Sequence, residues 1–535
     1  MMHIPRAVAI ARRQAPRLAF APKRIGHSPI LTRSLSAPAS QVPPTPPPTE
    51  STTQAAPIVI VEPLSRWRQF LQTLGRVTLI TLVTSTGVFI YVTQKDRHPG
   101  EQHDFDPEKK TIVSLDTEDY NVVVISPRNY FLFTPLLPSV AIGTLDSRSI
   151  IQPTRYITRH KSRRVYVYEA EAQEVDPKNK TVTFADNSPV KGNVSSTTIP
   201  YDYLVYAVGA ETQTFGIPGV RENACLSLTQ LHDAEKLRTT IMDCIESAAF
   251  KDQSDDEIDR LLHCIVVGGG PTGVELSGEL HDFLKEDLEN WYPDIAPRLR
   301  ITLIEALPNE NKIEVMTKTM VKEIKEKSVV VQNAAGERVE IPFGSIVWAA
   351  GNVGRPITRK LMEHFPEHQT NKRGITVDDF LRMKGADGIF AVGDCTATSY
   401  APTAQVASQE GTYLARLFGQ IAKKEKLENR LAVLRSGAHT EETEREIESV
   451  VKQINKASKL RPFQYSHQGS LAYIGSDKAI ADLPFLNGNF ASGGVATYLF
   501  WRSAYLSNLF SLRNRFLVIN DWLKVKIFGR DVSRE

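Results

Sequence analysis

Cysteine is scarce in this sequence and widely scattered. The four in 535 residues, Cys225, Cys244, Cys264 and Cys395, never fall into C-x-x-C or zinc spacing. That excludes a disulfide framework and a redox-disulfide pair, and leaves ordinary thiols. An excess of one charge is missing too: 64 basic residues stand against 61 acidic ones, so nothing marks the chain as a nucleic-acid binder and charge matters only locally. No D-x-D-x-D-G loop occurs, which excludes an EF-hand calcium site, and no metal is expected. One local absence is informative. No Asp or Glu precedes Glu50, while Arg6, Arg12, Arg13, Arg17, Lys23, Arg24 and Arg33 are interspersed with Ala and Ser. Residues 1–45 therefore have the composition of a mitochondrial presequence, with a disordered basic tail as the alternative.

A stiff, proline-rich linker follows at residues 46–64. The segment 65–94 contains an uncharged stretch from Val77 to Thr93, near the lower length limit of about 17 residues for crossing a bilayer. Its threonines leave an interfacial helix open as the alternative. If it spans, Arg66, Arg68 and Arg76 outweigh Lys95 and Arg97, which Asp96 and Glu101 dilute. The positive-inside rule then puts the N-terminus in the matrix and the body of the protein in the intermembrane space.

The most informative stretch is LLHCIVVGGGPTGVELSGEL, residues 261–280. An apolar run meets Gly268, Gly270 and Gly273 and then continues with helical periodicity. In a dinucleotide turn the first glycine permits the tight strand-to-helix bend, the second lets backbone approach the pyrophosphate, and the third lets the helix lie close to the strand. The next strand, RITLIEA, ends in Glu305, a residue type that accepts hydrogen bonds from a ribose 2′-OH and repels a 2′-phosphate, which favours NADH over NADPH. The residues between, FLKEDLENWYPDIAPRL, have to lengthen the crossover helix. The bland alternative is a glycine-rich turn in an unrelated α/β sheet.

Strands are also read at KKTIV and NVVVIS, but only residues 114–120 lie between them, with no glycine. Parallel neighbours need a crossover of a dozen or more residues, so no phosphate-binding turn fits there. Further on, strand followed by A-x-G recurs, ending at Gly209 in YDYLVYAVGAE and at Ala350 and Gly351 in IVWAAGN. The repetition suggests two related nucleotide domains. GIFAVGDCTA offers Gly393 and Asp394, an acid placed to hydrogen-bond a ribityl or ribose hydroxyl. APTAQVASQEGTYLARLF opens a helix with Gln405 and Gln409 one turn apart and on one face. Residues 422–457 read as a solvated, charged helical hairpin. From Phe490, Trp501, Tyr505, Leu509, Leu512 and Phe516 recur at helical spacing among basic residues, which predicts one amphipathic face suited to a membrane surface. Packing on the protein's own core is the alternative.

With these residues in view, the chain resembles the type II (alternative) NADH:ubiquinone oxidoreductases, most of all the external enzymes of fungal mitochondria. The resemblance runs from about Lys109 to Glu535. Its carriers include SPRNYFLFTPLLPS, VVGGGPTGVELSGELHDF, GIFAVGDC, APTAQVASQEG, QYSHQGSLAYIGSDKAIADL and the tail from WRSAYL onward. It implies two Rossmann-like α/β domains of the glutathione-reductase type: a flavin domain in two parts (109–224 and 357–489), a nucleotide domain (225–356), and a membrane-anchoring region (490–535). It implies NADH at the GGGPTG turn and FAD on Asp394, with Thr134, Pro135, Gly393, Ala404 and Gln405 beside the flavin ring and the turns at Gly209 and at Ala350–Gly351 bordering the cofactors. Glu275 would lie near nicotinamide and flavin, Gln405 and Gln409 would line the ubiquinone pocket, and Trp501 and Tyr505 would belong to its membrane entrance. The expected location is the inner mitochondrial membrane, with a homodimer open and no proton pumping.

Two departures stand out. The glycine turn and helix that hold the FAD pyrophosphate are missing after Val113, and the helical crossover expected after Asn309 is missing as well. Both gaps remove whole elements while the flanking text stays family-like, as skipped coding segments would. They keep two alternatives open: a non-catalytic NADH-binding membrane protein, and a flavin-dependent reductase of a soluble acceptor.

Overall fold

The computed structural model describes residues 66–97, 102–104, 109, 111–113, 119–226, 228–305, 314–437, 440–485 and 488–533. The presequence and the linker lie outside the described residues. The chain divides into two compact units, Met1–Thr81 and Leu82–Glu535.

From Val77 to Thr93 the chain carries no charge and no proline, and it lies within one helix, Arg66–Arg97. Its segment Thr73–Lys95 has mean hydropathy 1.5 and is long enough to cross a bilayer. Val77, Ile80, Val83 and Val88 are exposed.

Beyond it lie two five-stranded sheets. The first runs in the order Ile389–Ala391, Tyr203–Tyr206, Thr111–Val113, Asn121–Ser126, Tyr166–Glu169, with every pair parallel. The second runs Cys225–Leu226, Ser345–Trp348, His263–Val267, Arg300–Ile304, Glu314–Met316, again all parallel. The two strands that end in A-x-G occupy the same place in both sheets, beside the central strand, so the repeat in the sequence is a repeat of topology. His263–Val267 is buried along its whole length, as a continuous apolar run in a sheet covered on both faces should be. Two short strands beyond the A-x-G turns, Ala210–Thr212 and Asn352–Gly354, pair antiparallel and tie the two domains together.

The helix after the glycine turn, Pro271–Phe283, continues through a π-helical turn, Leu284–Leu288, to Trp291. This lengthened crossover accounts for the distance from the turn to Glu305. Thr111–Val113 and Asn121–Ser126 are hydrogen-bonded parallel neighbours, with Thr111 opposite Asn121, and only residues 114–120 separate them in the sequence, fewer than the dozen or so that a parallel crossover usually takes. Arg300–Ile304 and Glu314–Met316 are parallel neighbours in the same way.

Two expectations need correction. The charged hairpin read at 422–457 forms, but its first helix does not begin at residue 422: one continuous helix, Ala404–Ser436, carries the chain into it and Glu441–Ala457 returns. The C-terminal stripe is not one helix face either. The chain breaks into Val495–Asn508 and Leu512–Phe528, with Ser511 capping the second helix through Asn514 N–H. Trp501 and Leu509 are buried at 3% and 2% exposure, whereas Leu512 and Phe516 are exposed. A serine N-cap resets the helical phase, and so the spacing across it carries no face. The second helix exposes an apolar stripe of its own, Leu512, Phe516, Ile519, Leu523 and Ile527, and the first exposes Val495, Leu499 and Phe500.

Candidate functional site

The glycine turn is built as its sequence requires. Gly268 has φ +114°, a conformation open mainly to glycine, and donates its N–H to Ile304 O at 2.9 Å. A Cβ at Gly273 would meet Gly268 O at 2.0 Å, so this glycine lets the helix start against the strand. Nothing lies within 4 Å of a Cβ at Gly270, leaving open the place that a pyrophosphate approaches. Glu305 accepts the Gly269 N–H through Oε2, which fixes its carboxylate beside the turn. These residues fit the pyrophosphate and ribose of NADH.

At the other domain, Gly393 has φ +74° and donates its N–H to Glu410 Oε2 at 2.6 Å. Glu410 is fully buried and its Oε1 has no hydrogen-bond partner. Burial pushes its carboxyl up to about 7, against the pull of the Gly393 N–H and with a push from Asp394. Asp394 is raised by burial and held back by Arg373. Both acids line a cleft with Arg373, Tyr400 and Thr403 at the N-terminus of the Ala404–Ser436 helix, a helix end that favours negative charge. An orphaned buried carboxylate oxygen, a glycine turn and an acid suit the ribityl and ring end of a flavin. The adenine end is different: after Val113 there is no glycine in residues 114–120. The described residues therefore fit the ribityl and ring half of FAD, and none of those described after Val113 forms a glycine turn for its pyrophosphate.

Glu275 lies in the first half of the nucleotide helix at 6% exposure. It accepts the Tyr505 hydroxyl at 3.2 Å and Tyr473 N–H at 3.4 Å. Burial raises it to about 8, opposed by those two hydrogen bonds. Tyr505 in turn meets Phe133 edge-on, ring centroids 6.2 Å apart, so Glu275 and the Phe133–Pro135 segment are brought together. Thr134 and Pro135 open a short 3-10 turn there. Trp501 stacks on Tyr473 and Tyr505 and is buried. Expected at a membrane entrance, it forms instead the inner wall behind Glu275, because it sits on the core side of its helix.

Gln405 and Gln409 are held elsewhere. The Tyr465 hydroxyl donates to Gln405 Oε1 and contacts His467 Nδ1 at 3.1 Å. Gln409 exchanges two hydrogen bonds with Ser466 backbone, at 2.8 and 3.0 Å. The chain from Tyr465 to Tyr473 thus runs from the glutamines to Glu275. Gly209 and Gly351, with φ +67° and +71°, turn the backbone at the two A-x-G ends, and Ala350 O accepts from Trp348 Nε1.

Sequence reasoning missed Glu410, Arg373 and a buried ion cluster. Glu279, Asp287 and Arg530 are all 6% exposed or less, and Arg530 reaches Asp287 at 2.7 Å and Glu286 at 3.0 Å. The available signal was Glu275, Glu279 and Asp282, three acids at helical spacing on a face that otherwise reads as core.

The model of the pyridine nucleotide-disulphide oxidoreductase family matches residues 110–411, and that of the NDH2 C-terminal domain matches residues 467–531. The external alternative NADH-ubiquinone oxidoreductase of Yarrowia lipolytica mitochondria is 47% identical over 515 residues, covering 87% of this chain and 88% of the relative. The mitochondrial external NADH-ubiquinone oxidoreductase 2 of Saccharomyces cerevisiae is 43% identical over 440 residues, covering 78% and 79%. Among solved structures, NDH2 from Plasmodium falciparum in complex with NADH superposes with a TM-score of 0.68 at 26% identity, over 80% of this chain and 100% of that one.

Proposed function

The chain belongs to the pyridine nucleotide-disulphide oxidoreductase family and, within it, to the alternative NADH-ubiquinone oxidoreductases, and from that membership we propose how it works at the inner mitochondrial membrane. It oxidises NADH and reduces ubiquinone without pumping protons. The observation that carries this reading is the nucleotide turn with Glu305 fixed on Gly269, because a carboxylate there accepts a ribose 2′-OH and repels a 2′-phosphate. Bound flavin supplies the two-electron relay between nicotinamide and quinone.

The side chains orient, exclude water and hold protons. Gly268, Gly270 and Gly273 seat the pyrophosphate. Glu275, whose carboxyl burial pushes up to about 8, closes the inner wall with Tyr505 and Trp501. Thr134, Pro135, Gly393, Ala404 and Gln405 border the flavin ring, Asp394 binds the flavin side chain, and Gln405 with Gln409 faces the quinone. The exposed stripe of Leu512, Phe516, Ile519, Leu523 and Ile527 rests in the membrane interface.

Arg66, Arg68 and Arg76 before the spanning stretch hold the N-terminus in the matrix, which leaves the catalytic body facing the intermembrane space. The homodimer that the resemblance allows is tested by sedimentation in detergent. Neither alternative reading gains support: Cys395 is a buried, unpaired thiol pushed up to about 12, unsuited to disulfide exchange, and the apolar stripe favours a lipid-borne acceptor over a soluble one. The direct test is steady-state NADH oxidation by the FAD-loaded chain with a short-chain quinone. Quinone-dependent turnover with NADH, and little with NADPH, is the expected result, and equal rates with both nucleotides would remove the role given to Glu305.

A further inference from the structure

The stretch from Ser147 to Arg164 carries six basic residues and no acid, in a chain whose charges otherwise nearly cancel. A run of charge is usually a solvated face, but two sets of hydrogen bonds hold this one beside the membrane elements.

The first set comes from the chain that leaves the spanning helix. That helix ends at Arg97 and Gln102 follows five residues later, so a fully extended connection leaves Gln102 within about 18 Å of the helix end. Gln102 Nε2 donates to Thr158 O at 3.1 Å and to Lys161 O at 2.8 Å. His103 N–H donates to Ser162 O at 2.9 Å, and Arg164 N–H donates to His103 O at 2.8 Å. Residues 158–164 are thereby tied to the chain just outside the bilayer.

The second set comes from the last helix, Leu512–Phe528. Asn514 Nδ2 in its first turn donates to Ser149 O at 2.8 Å and to Ile151 O at 2.9 Å, and the Ser511 hydroxyl meets Gln152 Oε1 at 3.0 Å. Arg513 donates to Arg148 O at 3.5 Å. Beside this seam Phe131 and Phe510 are exposed at 46% and 52%, with ring centroids 6.4 Å apart. Two elements assigned to the membrane thus bond the same stretch of backbone, which sets that stretch at the level of the bilayer surface.

Arg148, Arg155, Lys161, Arg164 and Arg513 are all exposed. None of the five forms an ion pair among the described residues. Two acids border Arg148, but both are engaged with backbone and hydroxyl groups. Asp146 accepts Arg148 N–H at 2.7 Å, and Asp521 accepts Asp146 N–H at 3.1 Å and the Ser149 hydroxyl at 2.5 Å.

We propose that this basic surface, from Arg148 and Arg513 across Arg155 to Lys161 and Arg164, binds the headgroups of anionic phospholipids. The proposal rests on the membrane placement of the two helices given above and adds a lipid chemistry to it. Guanidinium groups match phosphate oxygens in pairs, and an ammonium group meets them as a point charge. Phe131 and Phe510, next to those charges, suit the acyl boundary beneath the headgroups. The apolar stripe and the spanning helix hold the body to any bilayer, and the basic surface chooses the lipid.

The test uses the full chain in phosphatidylcholine vesicles that carry a trace of dansyl-phosphatidylglycerol or, in parallel, dansyl-phosphatidylcholine. Energy transfer from tryptophan reads the preference between the two headgroups. The unsubstituted chain should prefer the anionic lipid, and the preference should shrink as salt rises. Each basic residue at an anionic surface is worth about fivefold in affinity. Arg155→Gln, Lys161→Gln and Arg164→Gln together should therefore lower the preference at least about tenfold, with the melting temperature and NADH–ferricyanide rates unchanged. An unchanged preference in this variant, or none in the unsubstituted chain, overturns the proposal.

A second readout follows the surface in the unsubstituted chain and is independent of how the variant folds. Acetylation of Lys161 by a water-soluble reagent should slow when phosphatidylglycerol is added to the phosphatidylcholine vesicles. Equal rates overturn the proposal, and so does equal protection by inorganic phosphate alone, which would mark a site for soluble anions. Failure of the chain to float with phosphatidylcholine vesicles would instead strike the membrane placement, and Lys161 labelling with phosphatidylglycerol micelles would still decide the lipid contact.

Discussion

Gly270 and Gly273 sit three residues apart in one turn and fail differently when a methyl group is added. At Gly273 the new Cβ would lie 2.0 Å from Gly268 O, inside the protein itself, whereas at Gly270 it enters open space. Gly273→Ala should therefore lower the melting temperature and abolish NADH binding. Gly270→Ala should keep its melting temperature and weaken NADH at least about tenfold, ~1.4 kcal/mol, because the methyl meets the pyrophosphate and not the fold. Calorimetry of folding and of NADH binding separates the two, and matching behaviour in both variants would contradict the turn's geometry. Glu275 carries a pH prediction. Burial pushes its carboxyl up to about 8, well above the 4.5 usual for glutamate, so its contribution to stability is complete below pH 4.5 and is lost as pH rises toward 8. Denaturation midpoints should fall across that window and fall less in Glu275→Gln; an unchanged slope would mean the carboxyl is not buried as described. Arg530→Met leaves Asp287 and Glu279 without their buried counter-charge and should cost about 3–5 kcal/mol in denaturant unfolding. A loss under about 1 kcal/mol, the scale of an exposed pair, would show the cluster to be solvated.

At the scale of elements, legibility followed the range of the interactions that fix each one. The strand–glycine–helix unit at 261–280 was readable because its turn, its burial and its helix start are all local. The terminal stripe was misread because Ser511, an N-cap, restarts the helix and no periodicity count crosses a cap. Glu410 and Arg530 stayed invisible because their partners, Gly393 and Asp287, are brought near by the fold and not by the local sequence pattern. The corrected stripe makes its own prediction. Phe516→Glu, Ile519→Glu and Leu523→Glu together, on the exposed face of Leu512–Phe528, should abolish flotation of a protein lacking residues 66–97 with anionic vesicles while leaving its melting temperature unchanged. Retained flotation would move the membrane contact elsewhere.

For the whole molecule, two sheets of one topology meet through a small antiparallel pair, and among the described residues the glycine phosphate turn is found on the nucleotide sheet. Thr111 pairs with Asn121 and residues 114–120 between them contain no glycine, so weak retention of FAD is the expected outcome. Flavin should be substoichiometric after gel filtration and should rise with added FAD. Full occupancy without supplementation would show that other backbone holds the phosphates. The most direct measurement of the central claim is anaerobic spectroscopy of the FAD-loaded, full-length chain in lipid. On this account, NADH bleaches the flavin absorption and a following pulse of ubiquinone analogue restores it. A flavin that stays oxidised under NADH, or one that bleaches and is never reoxidised by quinone, would contradict it.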